Sequence, residues 1–269
     1  MADLIHHHVK GSGRPLVLIH GWGMHAGVWQ GFSDSLAQHC MTVTPDLRGH
    51  GGSRTMPGIC FFEQHARDIA ALIEYLRIPD AVLAGWSMGV SIILKMFELG
   101  CCRAPALVLI SGNPSLVRRD DYESGLAPAV VRRLHRQVQR DYPAGMQTFL
   151  DLLCTPEEHD RFSADPAYRA AMDTVQRPDR AAALDSLACL QSEDLRPHLA
   201  LINAPTLIVH GERDGICLSD AGRFMHDSIP GSRLLMLPDT GHMPFVSRRA
   251  RIVEEITKFL GLQQHAAYD

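Results

Sequence analysis

The sequence predicts an α/β fold: a mostly parallel central sheet flanked by helices and interrupted by a helical insertion. Three observations predict it. Short, near-continuous apolar runs bounded by turn residues recur along the chain, as expected of strands buried on both faces of a parallel sheet. Between them lie longer stretches whose apolar residues fall at three- and four-residue steps, the stripe of a helix packed on a sheet. That alternation stops between about 113 and 195 and then resumes.

Taken in order, the strand candidates are "PLVLIH" (15–20), "CMTVTP" (40–45), "AVLAGW" (81–86), "PALVLI" (105–110), "APTLIVH" (204–210) and "SRLLML" (232–237). Between the second and third, Phe62, Ala66, Ile69, Ile73 and Leu76 form one helical stripe. "SIILKMFEL" (91–99) and "ARIVEEITKFLGL" (250–262) read as helices of the same kind. Alternating strands and helices place helices on both faces of the sheet. The stretch 113–195 holds no convincing strand, much Arg, Asp and Ala, and several helical segments. It reads as a helical cap, or lid, set into a core formed by 1–112 and 196–269; a second packed helical domain without a gating role is the alternative.

Bulk properties remove several function classes. A chain of 269 residues suits one large domain, or one with an insertion. Roughly 70–75 % of the unfolded chain's surface can be buried at this length, so neither disulfides nor metals are needed for stability. With 46 % apolar and 21 % charged residues and a net charge of −4, nothing calls for nucleic acid as a partner. No apolar run approaches the roughly 18 residues of a membrane span. "MADLIHHHVKGSG" lacks the basic start and apolar stretch of a secretory signal, so a cytoplasmic, monomeric protein is expected. Seven cysteines without C-x-x-C spacing read as buried, reduced thiols. His6, His7 and His8 alternate sides on an extended chain, so all three cannot face one metal. With no H-E-x-x-H and no Cys/His ligand set, neither metal nor cofactor is expected.

The chemistry begins at "LAGWSMGVSI" (83–92). Ser87 lies between a strand and a helix, in G-x-S-x-G, the pattern of a nucleophile presented on a sharp turn. Gly85 and Gly89 let strand and helix approach closely around it, and the helix N-terminus brings its positive dipole end. Ser87 as a mere helix cap is the plainer reading. A serine needs a base, and the base an orienting acid. "LIVHGERDG" puts Asp214 just after a buried strand, and "LLMLPDTGHMPF" puts His242 in the loop after the last one. Glu212 and Asp239 are rival acids; Glu212 sits closer to its strand, and Asp239 is too near His242 in sequence to reach behind its ring. An oxyanion hole needs two backbone N–H groups; Met88 follows the nucleophile, and Trp22 in "HGWGM" (20–24) supplies the second. "PDLRGHGGS" (45–53) is a further glycine-rich turn that shapes the fold and is assigned no chemistry.

With H-G-W-G, G-W-S-M-G, H-G-E-R-D-G and G-H-M-P-F in this order, the chain resembles the α/β-hydrolases over essentially its whole length. Within them it is most similar to the biotin-pathway carboxylesterases that demethylate pimeloyl-acyl-carrier-protein methyl ester. "LIHGWGMHAGVW" (18–29) is similar to their oxyanion loop, Trp86 stands where related hydrolases have His, and the layout of "MQTFLDLL" (146–153) and "LACLQSEDLRPHL" (188–199) matches. Val90 departs from the resemblance, since these enzymes commonly carry a second glycine there. The resemblance implies an α/β-hydrolase fold and a Ser87–His242–Asp214 carboxylesterase working through an acyl-enzyme without cofactor.

The cap adds one pattern. In "VVRRLHRQVQR" (130–140), Arg132, Arg136 and Arg140 form a basic stripe, and Val131, Leu134 and Val138 an apolar one. A solvated cap face is the plain reading. The resemblance implies docking of an acidic acyl carrier protein, which such a stripe would steer. Phe149 is expected either to wall the acyl chain or to pack in the core. The alternatives in function are a broad short-chain carboxylesterase, a perhydrolase, a C–C hydrolase, or a binding scaffold that does not turn over. A haloalkane dehalogenase is excluded, because its nucleophile must be a carboxylate.

Overall fold

The computed structural model describes residues 4–164 and 178–262. Residues 165–177 of the expected cap and the two ends, 1–3 and 263–269, lie outside the described residues. All six expected strands form, each within two residues of its expected bounds: β2 (Pro15–Ile19), β3 (Met41–Pro45), β4 (Val82–Trp86), β5 (Leu107–Ile110), β6 (Thr206–Gly211) and β7 (Arg233–Leu237). A seventh, β1 (His7–Lys10), precedes them and pairs antiparallel with β3, His7 opposite Pro45. Its four residues, HHVK, are largely exposed, so no apolar run announced it. A short, polar strand is what a sheet edge tolerates.

The sheet order is β1-β3-β2-β4-β5-β6-β7, and every pair except β1–β3 is parallel. Chain order reverses beside β2, which has β3 on one side and β4 on the other. In open parallel sheets the ends of strands at such a reversal leave a crevice where ligands bind. Ile19 sits opposite Gly85, so the loop after β2 and the turn after β4 emerge side by side.

Helices cover both faces: α1 (Gln30–Leu36), α2 (Phe62–Tyr75) and α3 (Met88–Glu98) before the insertion, α8 (Ser219–Ser228), α9 (Pro244–Ser247) and α10 (Arg249–Leu260) after it. The expected stripe of α2 faces inward, with Phe62, Ala66, Ile69 and Leu72 buried. α3 is buried on all sides from Met88 to Met96. α10 stops at Gly261, whose φ of 64° is left-handed and open to glycine at little cost. Under the switch point Trp29, Trp86 and Phe245 pack ring against ring, Trp29 to Phe245 at 4.5 Å and Trp86 to Phe245 at 5.1 Å.

Between β5 and β6 lie α4 (Pro128–Arg140), α5 (Tyr142–Leu150), α6 (Pro156–Ala164) and α7 (Arg180–Ser192), and among the described residues this segment adds no strand to the sheet. Its two ends meet where Leu195 N–H donates to Pro114 O at 2.8 Å. It is seated on the core through Ser186 Oγ to Cys60 O and through Lys95 to Glu193, 3.1 and 2.9 Å. Among the described residues no helix is long and apolar enough to cross a membrane.

Candidate active site

Ser87 has φ 54° and ψ −117°, a conformation that non-glycine residues rarely adopt. Such strain costs on the order of 1–3 kcal/mol and persists only where the surroundings impose it. Here two glycines do so. A Cβ on Gly85 would lie 2.5 Å from the Gly89 carbonyl carbon, and one on Gly89 would run into Ile19 O. The strand–helix crossing therefore closes tightly around the serine. Val90 fits because its partner is small: a Cβ on Gly112 would collide with the Val90 side chain.

Asp214 and His242 meet behind the serine. His242 Nδ1 is 2.8 Å from Asp214 Oδ2, and both side chains are fully buried. The other oxygen, Oδ1, accepts the backbone N–H groups of Ile216 and Cys217, each at 2.9 Å. With Oδ1 engaged by two backbone donors, Oδ2 accepts from Nδ1, the tautomer in which Nε2 is the acceptor nitrogen. The rivals fall away: Glu212 is exposed, and Asp239 is spent on an exposed pair with Arg213 at 2.6 Å. A residue that sequence reasoning missed, His210, donates from Nε2 to Cys217 O at 2.7 Å, 3.5 Å from Asp214 Oδ2. Burial holds its pKa below the ordinary histidine value, so it stays neutral beside the acid.

His242 Nε2 is buried and has no hydrogen-bond partner among the described residues. The Ser87 hydroxyl instead contacts the Cys217 thiol, which also accepts from Asn113 Nδ2 at 3.0 Å. Resting geometry of this kind is common in free enzymes and tightens when substrate binds. Burial pushes the Cys217 thiol well above its ordinary pKa, so it stays protonated. Asn113 and Cys217 lie 104 positions apart and carry no motif.

The loop after β2 presses on the serine: a Cβ on Gly21 would lie 3.1 Å from Ser87 Cβ. Among the described residues neither the Trp22 nor the Met88 N–H has an acceptor, as an oxyanion site requires. Trp22 is pinned by its indole, which donates to Ala183 O of α7 at 2.9 Å. Asp46, in the turn assigned no chemistry, anchors this loop by accepting from Ala26 N at 2.7 Å and from Gly52 N at 2.9 Å.

A cavity of about 340 Å³ opens above Ser87, between core and insertion. Its walls are mainly apolar, and Phe149 is one of them, edge-on to Trp22 at 4.7 Å; the residue is both wall and core. On α4, Val131 and Val138 are buried, while Arg132, Arg136 and Arg140 are exposed and make no ion pair among the described residues. They do not line the cavity; Arg133 does, beside Gln137. A larger groove of about 770 Å³ between α2 and the starts of β4 and β5 contains arginines and cysteines but no base beside a nucleophile.

His6, His8 and Asp46 bring their ligand atoms within 4.8 Å of one another. Residues two apart share a side of an extended chain, a case that the argument from three consecutive histidines did not cover. Both Asp46 oxygens already accept backbone N–H groups, and Oδ2 also meets His6 Nδ1 at 2.7 Å. The carboxylate is the anchor of two loops.

A strained serine on a strand–helix turn, with acid and histidine at the same sheet edge, defines an α/β-hydrolase. The chain belongs to the alpha/beta hydrolase family, which it matches over residues 16–255. It is 32 % identical over 251 residues to pimeloyl-[acyl-carrier protein] methyl ester esterase of Nitrosospira multiformis, covering 93 % of this chain and 95 % of that one. It is 33 % identical over 244 residues to the protein of that name from Nitrosomonas europaea, covering 90 % and 94 %. Among solved structures, the esterase EaEST from Exiguobacterium antarcticum superposes with a TM-score of 0.86 at 27 % identity, covering 96 % of this chain and 95 % of that one.

Proposed function

We propose that the chain is a serine carboxylesterase that hydrolyses the methyl ester of pimeloyl-[acyl-carrier protein] in biotin precursor synthesis. The observation that carries the reaction type is the buried 2.8 Å pair of Asp214 and His242 beside a strained serine at the floor of an apolar cavity. The names of the two relatives, each matched over at least 90 % of this chain, support the substrate.

On this reading Ser87 turns from Cys217 toward His242 Nε2, which takes its proton as Oγ attacks the ester carbonyl. The Trp22 and Met88 N–H groups hold the oxyanion; one such donor is worth about 3–4 kcal/mol in the transition state. Asp214 stabilises the imidazolium, which gives its proton to the departing methoxide oxygen as the C–O bond breaks, so that methanol leaves. Water then repeats the sequence on the acyl-enzyme. The helices of 113–195 act as the cap, with Phe149 against the acyl chain. The exposed arginines on α4, Arg132, Arg136 and Arg140, supply positive charge for an acidic carrier, and Arg133 faces the chain where it leaves the cavity.

The test is methanol release from the carrier-borne methyl ester, beside the free methyl ester and a Ser87→Ala control. Ser87-dependent turnover favouring the carrier-borne ester is expected. Turnover of the free ester alone would keep the mechanism and overturn the carrier.

A further inference from the structure

Glu158 stands at the start of α6 with 2 % of its surface exposed. It belongs to a capping box: Thr155 Oγ1 accepts from Glu158 N at 3.2 Å, and Glu158 Oε2 accepts from Thr155 N at 3.0 Å. In an ordinary capping box the carboxylate serves its own helix. Here Oε2 also accepts the N–H of Gly241, 83 positions away, at 2.9 Å. Gly241 immediately precedes His242, whose own N–H donates to Leu153 O at 3.1 Å. The fit is close, because a Cβ on Gly241 would lie 2.6 Å from Glu158 Oε2 and 3.4 Å from Cys154 Cα. The backbone of His242 is thus bridged: its N–H is held by the insertion, and its carbonyl by Trp86 of the sheet. Glu158 Oε1 is buried without a partner among the described residues. A buried carboxylate oxygen left unpaired is costly, and helix capping alone does not call for it.

We infer that Glu158 is a positioning residue for His242, joining the α6 capping box to the loop that presents the base. The inference rests on the reading of His242 as that base.

The test is hydrolysis of p-nitrophenyl butyrate, with Ser87→Ala as the blank. Glu158→Ala should lower kcat about tenfold or more and leave KM within about twofold, since the acceptor orients the base without touching substrate. Glu158→Gln keeps a carbonyl acceptor and should rescue kcat to within about twofold. Thr155→Ala weakens the same helix cap but leaves the Gly241 contact, and should keep kcat within about twofold. Gly241→Ala, which pushes the carboxylate away, should lose kcat as Glu158→Ala does, and serves if the latter fails to fold. Unchanged kcat in Glu158→Ala or Gly241→Ala overturns the inference. Equal losses in Thr155→Ala and Glu158→Ala also overturn it, because helix capping would then explain both. A wild-type rate no faster than the Ser87→Ala blank overturns the reading of the site, and this inference with it.

Discussion

Trp86 donates its indole N–H to the carbonyl oxygen of His242 at 2.8 Å, and the two rings lie 5.3 Å apart. The residue before the nucleophile therefore holds the loop that carries the base, so the two reacting groups share one support. Trp86→Phe keeps most of the packing and removes the donor. A buried carbonyl left unpaired costs about 1–3 kcal/mol. We expect kcat to fall about tenfold and KM to change little, since about 1.4 kcal/mol of misplaced base is one decade in rate. Steady-state kinetics with urea unfolding checks it; an unchanged kcat contradicts the shared support.

Arg132, Arg136 and Arg140 predict a salt-dependent preference. If the proposed carrier docks on this stripe, reversing all three to Glu should raise KM for a carrier-borne ester about tenfold or more, by replacing attraction with repulsion. The free methyl ester should be hydrolysed as before. Raising ionic strength in the wild type should move the carrier KM the same way, because charges this exposed are screened within about 10 Å at 0.1 M salt. Kinetics on both substrates at two salt concentrations decides it.

His20, His50 and His65 pack in the core behind the loop after β2, ring edge tilted toward ring face, with centroids 5.2 and 6.1 Å apart. Burial lowers all three, His20 to about 3 and His50 to about 4. The unfolded chain takes up these protons as pH falls through about 6.5, and the folded chain does not. Stability is therefore undiminished above pH 6.5 and falls below it, down to about pH 4 for the His50 contribution and about pH 3 for that of His20. Each such histidine costs about 2 kcal/mol at pH 5. Urea unfolding at pH 7.5 and 5.0 should show that loss, and His50→Gln should reduce it; identical stability at both pH values contradicts a neutral buried cluster.

Much of this was legible in the sequence because it is written locally. Six apolar runs named six strands, and the glycines around Ser87 announced a close approach that the geometry then required. Asp214 and His242, which the structure pairs at 2.8 Å, could be singled out because each follows its own strand. What stayed hidden depends on distant partners or on helix phase. Strand β1 exists only through its pairing with β3. Cys217 and Asn113 meet across 104 positions, and Glu158 and Gly241 across 83. The period of α4 separated apolar from basic residues, but which arginine faces the cavity depends on how the helix is rotated on its seat; it is Arg133, not the stripe. Val90 looked like a departure until Gly112 supplied the missing space.

The central claim is that Ser87, activated by His242, is the nucleophile. Its most direct measurement is peptide mapping by mass spectrometry after treatment with a fluorophosphonate. One adduct on the Ser87 peptide is expected, abolished in Ser87→Ala and strongly slowed in His242→Gln. No adduct, or an adduct on another residue, would contradict the account.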